Sequence, residues 1–340
     1  MLARVRRWVV ARVTDAAVVA APHLPATLPE HLGNWLSRWG PHLPVLARII
    51  ADNMRAVGVF SHAGHRAHFQ QLGRHFAGVL HTLRCDARRS AAGAHDWLRR
   101  VAAREIELDA SVHALARADV GQTGVVLVGP HITNYLLGLA CLNQVLPLTV
   151  YLRPARRSRR YEARLRWYQA SGVAWVSEPK DAARLLGRLA PMAAALRSGR
   201  VLFITPDLPQ KRDAGIPVRF FDREVYLPGG PALLSLRTGS PLYALRAECD
   251  GARQRLIVVG PYVEPDASSS DDRRAAVQRR MQWFAGHLES FLRSRPALWY
   301  LWGDKRWTRV FRGDPRYCRA PGPLSHPAGP VFNPAVPQGA

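Results

Sequence analysis

The feature that most constrains the fold is an alternation of short β-rich runs with helical segments, which starts near residue 120. The β-rich runs lie at 125–128, 148–152, 173–176, 201–205, 241–245 and 255–260. Apolar residues at helical spacing fall between or after them, at 134–144, 160–171, 181–198, 229–238 and 271–294. Strands separated by helices favour a mostly parallel sheet covered by helices. The sequence therefore predicts an α/β fold.

The residues before this alternation have a helical pattern. Between 65 and 84 the apolar side chains recur every three or four positions, which gives one apolar face. We therefore predict a helical N-terminal lobe that precedes the sheet. Four histidines fall in this region without nearby acids or cysteines, and solvated or core histidines explain them better than a metal site; they are His62, His65, His68 and His75.

Three regions are predicted along the chain. Residues 45–318 form one α/β domain without internal repeats, and residues 319–340 are rich in Pro, Gly and Ala and are expected to be disordered. Residues 1–44 begin with a basic and apolar stretch that suits an amphipathic helix on a membrane surface. An ordinary first helix packed on the domain is the equal alternative. Arg12 and Asp15 interrupt the apolar run, so no membrane-spanning segment is predicted.

The net charge indicates an anionic partner. The chain has 48 Lys and Arg against 25 Asp and Glu, a formal charge of +23. Nucleic acid, anionic lipid head groups and an acidic carrier protein all fit this surplus. Nucleic-acid-binding motifs are absent from the sequence, which argues against the first of these partners. The four cysteines form no CxxC pair, which fits a reducing cytosolic environment rather than a disulfide framework or zinc site.

Several enzyme classes lack sequence support. There is no GxxxxGK[ST] loop, no GxGxxG after a strand, no HExxH and no GxSxG elbow. Phosphate-loop nucleotide binding, dinucleotide binding, zinc proteolysis and α/β-hydrolase chemistry are therefore not predicted.

Three ordered blocks carry a family resemblance. They are "VVLVGPHITNYLLG" (125–138), "VLFITPDLPQKRDAGIPVRFFDREVYLPGGPALLSLRTGSPL" (201–242) and "SFLRSRPALWYLWGDKRW" (290–307). In this order they resemble the bacterial late acyltransferases of lipid A biosynthesis, members of the lysophospholipid acyltransferase superfamily. With the helical region upstream, the resemblance covers roughly residues 45–310. It implies a glycerolipid acyltransferase-like α/β fold.

The resemblance implies that His131 is a catalytic base and that Asn134 matches the same motif. The family pattern is a histidine, four residues and then Asp or Glu, but this chain has Leu136 at the acidic position. A base must remove the proton of an acceptor hydroxyl, and an adjacent carboxylate holds the imidazole in the correct tautomer. Three interpretations are open: Asp207 from the second block supplies the carboxylate, His131 works without one, or the site is inactive.

The resemblance also implies binding residues. Arg153 matches an arginine that holds phosphate or the carrier, and the basic run 156–160 follows it. The second block implies an acyl and head-group pocket, whose residues are Phe220, Phe221, Gly230 and Arg237. Plain core packing is the alternative for each of the two phenylalanines. In the third block, a membrane interface or packing beneath the site are the alternatives for Trp299, Trp302 and Trp307, and we favour packing for two of the three.

The sequence thus predicts an acyltransferase that moves a fatty acyl group from acyl carrier protein or coenzyme A to a hydroxyl or amine of a lipid or glycolipid. The thioester is a cosubstrate, and no metal or bound cofactor is implied. The expected location is peripheral, on the cytoplasmic face of the inner membrane, against an anionic surface. A catalytically impaired relative that binds lipid or carrier is the first alternative. An Arg-rich nucleic-acid-binding protein is the second.

Overall fold

A computed structural model describes residues 27–88, 91–118, 123–153, 171–177, 185–250, 253–265 and 272–319, with a few positions within 20–25 and 162–169. The basic and apolar stretch at residues 2–13, predicted as an amphipathic helix, lies outside the described residues. The same is true of the basic run 156–160 and of the tail from residue 320 onward.

The N-terminal lobe is helical, as predicted. Its helices are α1 (Leu28–Trp39), α2 (Pro44–Arg55), α3 (His62–Arg88), α4 (Ala91–Glu105) and α5 (Ala110–Arg117). Helix α1 packs along α3. The two backbones approach closely there, because a Cβ built on Gly73 would lie 2.3 Å from the carbonyl oxygen of Gly33. Glycine at this crossing therefore permits the close contact of α1 with α3.

The centre of the molecule is a seven-stranded sheet of order β1-β9-β8-β2-β5-β3-β4. Its strands are β1 (Ile106–Leu108), β2 (Val125–Val128), β3 (Leu148–Tyr151), β4 (Ala174–Val176), β5 (Val201–Ile204), β8 (Leu242–Asp250) and β9 (Arg253–Val259). Only β8 and β9 pair antiparallel. All other neighbours in the sheet are parallel. The predicted mostly parallel α/β fold is confirmed.

Helices cover the sheet. They include α6 (Tyr135–Leu142), α7 (Leu185–Arg197), α8 (Gly230–Thr238) and α9 (Arg273–Ser294), while α10 (Lys305–Phe311) packs against α2. Helices α7, α8 and α9 lie side by side and contact β5, β2 and β8 respectively. Strands β2 and β5 are buried at every position, which explains their uninterrupted apolar runs.

A second, three-stranded sheet was not predicted. It contains β6 (Ile216–Phe220), β7 (Arg223–Leu227) and β10 (Cys318–Arg319), in the order β10-β7-β6. Pro217 interrupts the β pattern of β6, and it is tolerated because β6 lies at the sheet edge. Phe221 and Asp222 form the hairpin turn with positive φ angles of 47° and 57°, a position where Asn-Gly is the usual signal.

Candidate active site

Two strand ends bring His131 and Asp207 together. Val128 of β2 and Ile204 of β5 are register partners in the parallel sheet, and each candidate residue follows three positions later. The Nδ1 atom of His131 lies 2.5 Å from Oδ1 of Asp207. The backbone N–H of His131 donates to Oδ2 of the same carboxylate, at 2.7 Å. The contact conjectured for Asp207 is therefore present.

The Asp207 carboxylate is fully buried and accepts a further hydrogen bond in addition to the two from His131. The indole N–H of Trp299 donates to Oδ2 at 3.0 Å, and the indole of Trp307 donates to the Asp207 carbonyl at 2.8 Å. Both tryptophans are themselves fully buried. Since a buried carboxylate is stable only when its oxygens are paired, these donors explain how Asp207 is accommodated and fix its orientation.

The second nitrogen of His131 faces a hydroxyl. Because Nδ1 donates to a carboxylate, Nε2 carries the lone pair in the neutral ring. Thr205 Oγ1 lies 3.3 Å from Nε2. The His131 side chain is 21% exposed, whereas Asp207 is not exposed at all. An incoming molecule can therefore reach the imidazole but not its carboxylate.

The segment after α9 is hydrogen-bonded through its backbone to the loop that carries His131. Ile132 and Trp299 form an isolated antiparallel bridge. Thr133 N–H donates to the Leu298 carbonyl at 2.8 Å, and Tyr300 N–H donates to the His131 carbonyl at 2.9 Å. The third sequence block therefore supports the first through the backbone as well as through its indoles.

Helix α3 supports both segments through two histidines, of which His68 is fully buried and His75 is half-buried. His68 Nδ1–H donates to the Ala297 carbonyl at 3.0 Å, and His75 Nδ1 accepts the Asn134 backbone N–H at 3.2 Å. Desolvation lowers the pKa of each of these histidines to about 4. Both rings are therefore neutral at physiological pH and act as hydrogen-bonding supports.

Asn134 and Leu136 define the start of helix α6. Asn134 has a left-handed backbone, φ 59°, which asparagine tolerates better than most residues, and its side chain makes no cap bond. Leu136 lies half-buried one residue into the helix and packs against the core. The acidic position of the family motif has thus become a packing position, and the carboxylate beside His131 comes from another strand.

Arg153 lies at the same sheet edge as the His131–Asp207 pair. It follows β3, which is parallel to β5, and its side chain is exposed. Strand β5 separates β3 from β2, so Arg153 is two strands away from His131 along this edge. Its placement suits a group that contacts a larger ligand outside the reacting centre.

Arg237 lies at the opposite edge of the sheet. It belongs to the last turn of α8, and Ser240, which follows, donates through Oγ to the Thr123 carbonyl. Thr123 precedes β2, whereas His131 follows β2. The structure therefore does not bring Arg237 to the imidazole, and the sequence prediction that grouped them has no structural support.

The remaining predicted pocket residues lie in the packed interior or at the start of a helix. Phe220 is buried with its ring 5.0 Å from the Trp307 ring, and Phe221 packs edge-on against Phe220. Gly230 begins α8, and a Cβ built there would meet no atom within 4 Å. These phenylalanines therefore lie beneath Trp307 and support the site from behind.

The three tryptophans of the third block all pack in the interior, one more than the two for which packing is favoured from the sequence. Trp299, Trp302 and Trp307 are all fully buried and pack against one another edge-on. Their ring N–H groups reach acceptors inside the protein, which is the usual condition for burying an indole. Sequence reasoning also missed Thr205, because a threonine at a strand end carries no motif of its own.

Comparison with known families identifies the chain. The family model for bacterial lipid A biosynthesis acyltransferases matches residues 68–309, which is more than half of the chain. The chain belongs to this family. The lipid A acyltransferase match includes His131, Asp207, Arg153 and all other predicted site residues. No curated protein matches the chain.

Membrane-spanning helices and metal-binding clusters are both absent from the described ranges. No helix in them is both long enough and apolar enough to cross a bilayer. No three His, Cys, Asp or Glu side chains in the same ranges gather into a group suited to a metal ion.

Proposed function

We propose that this family member transfers a fatty acyl group from an acyl thioester to a hydroxyl or amine of a lipid or glycolipid acceptor, with His131 as the general base. The observation that carries the proposal is the His131–Asp207 pair, in which Nδ1 is bonded to a buried carboxylate and Nε2 is within reach of solvent. The same arrangement activates nucleophiles in Ser-His-Asp enzymes. Because Asp207 supplies a carboxylate, Leu136 no longer argues for an inactive relative.

Each residue of the pair has a chemical role in this proposal. A hydroxyl is a weak nucleophile, and removal of its proton during attack on the thioester carbonyl lowers the barrier. The lone pair on Nε2 accepts that proton, and Asp207 stabilises the positive charge that then develops on the ring. The protonated ring afterwards donates to the departing thiolate. No step requires a metal or a bound cofactor.

The donor and acceptor are proposed by class. Acyl carrier protein and the phosphates of coenzyme A are anionic, and a chain with net charge +23 attracts such partners electrostatically. Exposed Arg153, at the edge that carries His131, suits a phosphate or acidic-carrier contact. The acceptor is a lipid or glycolipid with a hydroxyl or an amine near the site.

The proposal is tested by acyl transfer with purified protein. Donors are acyl-carrier-protein and coenzyme A thioesters of matched chain length, and acceptors are a lipid A precursor, an amino-lipid and a simple glycolipid. Formation of an acylated lipid together with free thiol supports the proposal and identifies the donor. Release of thiol without an acylated lipid, or no reaction with any pair, would contradict it.

Restoring the acid of the family motif should bring no gain. In the variant Leu136→Glu the new carboxylate has no open position at Nδ1, because Asp207 already occupies it at 2.5 Å. Placing a charge at a half-buried packing position also has a cost. We therefore expect a kcat equal to or below that of the unmodified protein, with Leu136→Gln as the uncharged control. A clear rise in kcat specific to Leu136→Glu would show that Asp207 is not the working partner.

We also propose peripheral attachment to the cytoplasmic face of the inner membrane, where thioester donors are available. Exposed aromatic and aliphatic side chains cluster on α1 and α2: Trp35 is 52% exposed, Trp39 51% and Val45 68%. Trp35 and Trp39 lie on one face of α1, because they are four residues apart. Arg38 and Arg48 on the same two helices are also exposed. Tryptophan with arginine is the combination that anchors helices at an anionic membrane surface.

Replacing both tryptophans tests this attachment. For Trp35→Ala with Trp39→Ala we expect about tenfold weaker partitioning into phosphatidylglycerol-containing vesicles, which corresponds to about 1.4 kcal/mol. Sedimentation with vesicles measures the effect. Val263→Ala, an exposed apolar position elsewhere, serves as the control. Unchanged partitioning of the double variant would contradict attachment through this surface.

A further inference from the structure

A cleft of about 270 Å³ opens between helix α3 and the segment that follows α9. One wall is a single face of α3, formed by residues that are three or four positions apart: Gly64, Ala67, Gln71 and Arg74. The two small residues leave the space open, and the next two make its wall polar. The other wall is formed by residues 294–298. The volume lies just below the ~300–1,000 Å³ of most small-molecule pockets, so the cleft suits a polar head group rather than a whole lipid.

The cleft adjoins the loop that carries His131. Leu298 lines the cleft, and its carbonyl accepts the N–H of Thr133 at 2.8 Å, two residues after His131. Backbones paired in this way lie roughly 5 Å apart. Cys249, near the carboxyl end of β8, also lines the cleft, and β8 is the neighbour of β2 in the sheet. The cleft therefore lies at the same sheet edge as His131, on the side away from β3 and Arg153.

The lining of the cleft is positively charged. Arg74 and Arg295 contribute two exposed guanidinium groups, and no acid is among the lining residues. Within the described ranges neither arginine forms an ion pair, although Arg295 donates to the Ser294 carbonyl at 3.2 Å. The carboxyl end of α9 carries a partial charge of about −0.5, which two full positive charges outweigh. Because a guanidinium binds phosphate through two parallel N–H bonds, the lining suits a phosphate group.

We propose that this cleft binds a phosphate group of the acceptor lipid and holds the acceptor beside His131. The inference rests on the proposed function and deepens it, because it makes the acceptor a phosphorylated lipid. Arg153, the proposed contact of the thioester donor, lies at the end of β3, whereas the cleft lies at the end of β8. Strand β2, which leads to His131, runs between these two positions. Donor and acceptor therefore approach the imidazole from opposite sides.

The experiment removes both guanidinium groups of the cleft. Acyl transfer by the full chain is measured for the unmodified protein and for Arg74→Gln with Arg295→Gln. The acceptors are a lipid A precursor that carries phosphate and the same lipid after phosphatase treatment. With the phosphorylated acceptor we expect kcat/KM of the double variant to fall by about tenfold or more, because charge-assisted hydrogen bonds are lost. With the dephosphorylated acceptor the two proteins should have equal kcat/KM.

A second double variant, Arg66→Gln with Arg312→Gln, is the matched control. Both of these arginines are exposed and lie outside the cleft, so the variant loses the same two charges. It should have normal kcat/KM with either acceptor, which separates a specific site from general electrostatic attraction. Thermal unfolding of both double variants checks that each is folded.

The same assay distinguishes a phosphate on the lipid from a phosphate on the donor. The KM for a coenzyme A thioester should be equal in the cleft variant and the unmodified protein. A rise in this KM, with normal use of the phosphorylated lipid, would overturn the assignment to the acceptor. Normal kinetics of the cleft variant with both substrates would overturn the cleft as a phosphate site.

Binding without turnover keeps this inference separate from the proposed function. Binding to detergent micelles that contain the phosphorylated or the dephosphorylated lipid is measured in the absence of thioester. We expect the unmodified protein to prefer the phosphorylated lipid by about tenfold, and the cleft variant to lose this preference. Equal binding of the two lipids by the unmodified protein would overturn the inference. Phosphate-dependent binding without any acyl transfer would support the cleft and contradict the proposed function.

Discussion

Replacing His131 with glutamine should abolish most acyl transfer while leaving the protein folded. Glutamine can still donate a hydrogen bond toward Asp207, but it has no basic nitrogen to accept the proton of a hydroxyl. A positioned general base contributes about 10²–10⁴-fold to the rate. We therefore expect kcat to fall by that factor, measured as acylated lipid formed per unit time at saturating donor and acceptor.

A matched histidine serves as the control. His113 on α5 is exposed and lies outside the site, so His113→Gln should have normal kcat. Circular dichroism and thermal unfolding of both variants separate loss of chemistry from loss of structure. If His131→Gln kept kcat within a few-fold of the unmodified protein, His131 would not be the base.

Replacing Asp207 with asparagine should reduce both kcat and stability. The carboxylate oxygens accept three N–H groups, from the His131 ring, the His131 backbone and the Trp299 indole. An asparagine side chain has one acceptor oxygen, and its NH₂ group would face a donor. Leaving a buried donor unsatisfied costs about 1–3 kcal/mol. The wrong tautomer of His131 would also be favoured, so we expect kcat to fall by about 10²–10⁴-fold.

Two measurements separate these effects. Chemical denaturation gives the free energy of unfolding, and kcat is measured at a temperature where the variant is fully folded. Asp213→Asn changes an exposed aspartate six residues away and should leave both quantities unchanged. An Asp207→Asn variant that behaved like Asp213→Asn would remove Asp207 from the site.

The main sheet could be predicted because buried parallel strands carry continuous apolar runs. All six predicted runs form strands, and four of them, 125–128, 148–152, 173–176 and 201–205, agree with the structure to within one residue at each end. β1 and the β6–β7 hairpin were missed for local reasons. β1 has three residues, too few for a period-2 pattern, and Pro217 with the Phe221–Asp222 turn hides the hairpin.

The site was only partly predictable. His131 stands after a strand and within a family motif, so the sequence alone indicates it. The partnership with Asp207 depends on β2 lying next to β5, and β3 and β4 intervene in the chain, so spacing cannot show it. Arg237 was grouped with the site because the second block resembles the family region that lines the acyl and head-group pocket. Helix α8 carries it to the amino-terminal side of β2, because the chain must return there before β8 can run parallel to β2.

The donors to Asp207 were hidden for a different reason. Trp299 and Trp307 are about 90–100 residues away in sequence, and an indole N–H shows no preference for one acid over another until the fold is known. Their burial was predicted for two of three tryptophans. Only the distances show that Trp299 donates a hydrogen bond to the Asp207 carboxylate and Trp307 one to the Asp207 backbone carbonyl.

A double-mutant cycle between His131 and Asp207 tests most directly whether they act as one unit. The rate of acyl transfer is measured for the unmodified protein, His131→Gln, Asp207→Asn and the double variant, each fully folded. When two residues act as one unit, removing the second has little further effect on the rate once the first is gone. The double variant should therefore be no more than a few-fold slower than His131→Gln alone. A double variant slowed by the product of the two single effects would contradict the assignment of Asp207 as the partner of the catalytic base.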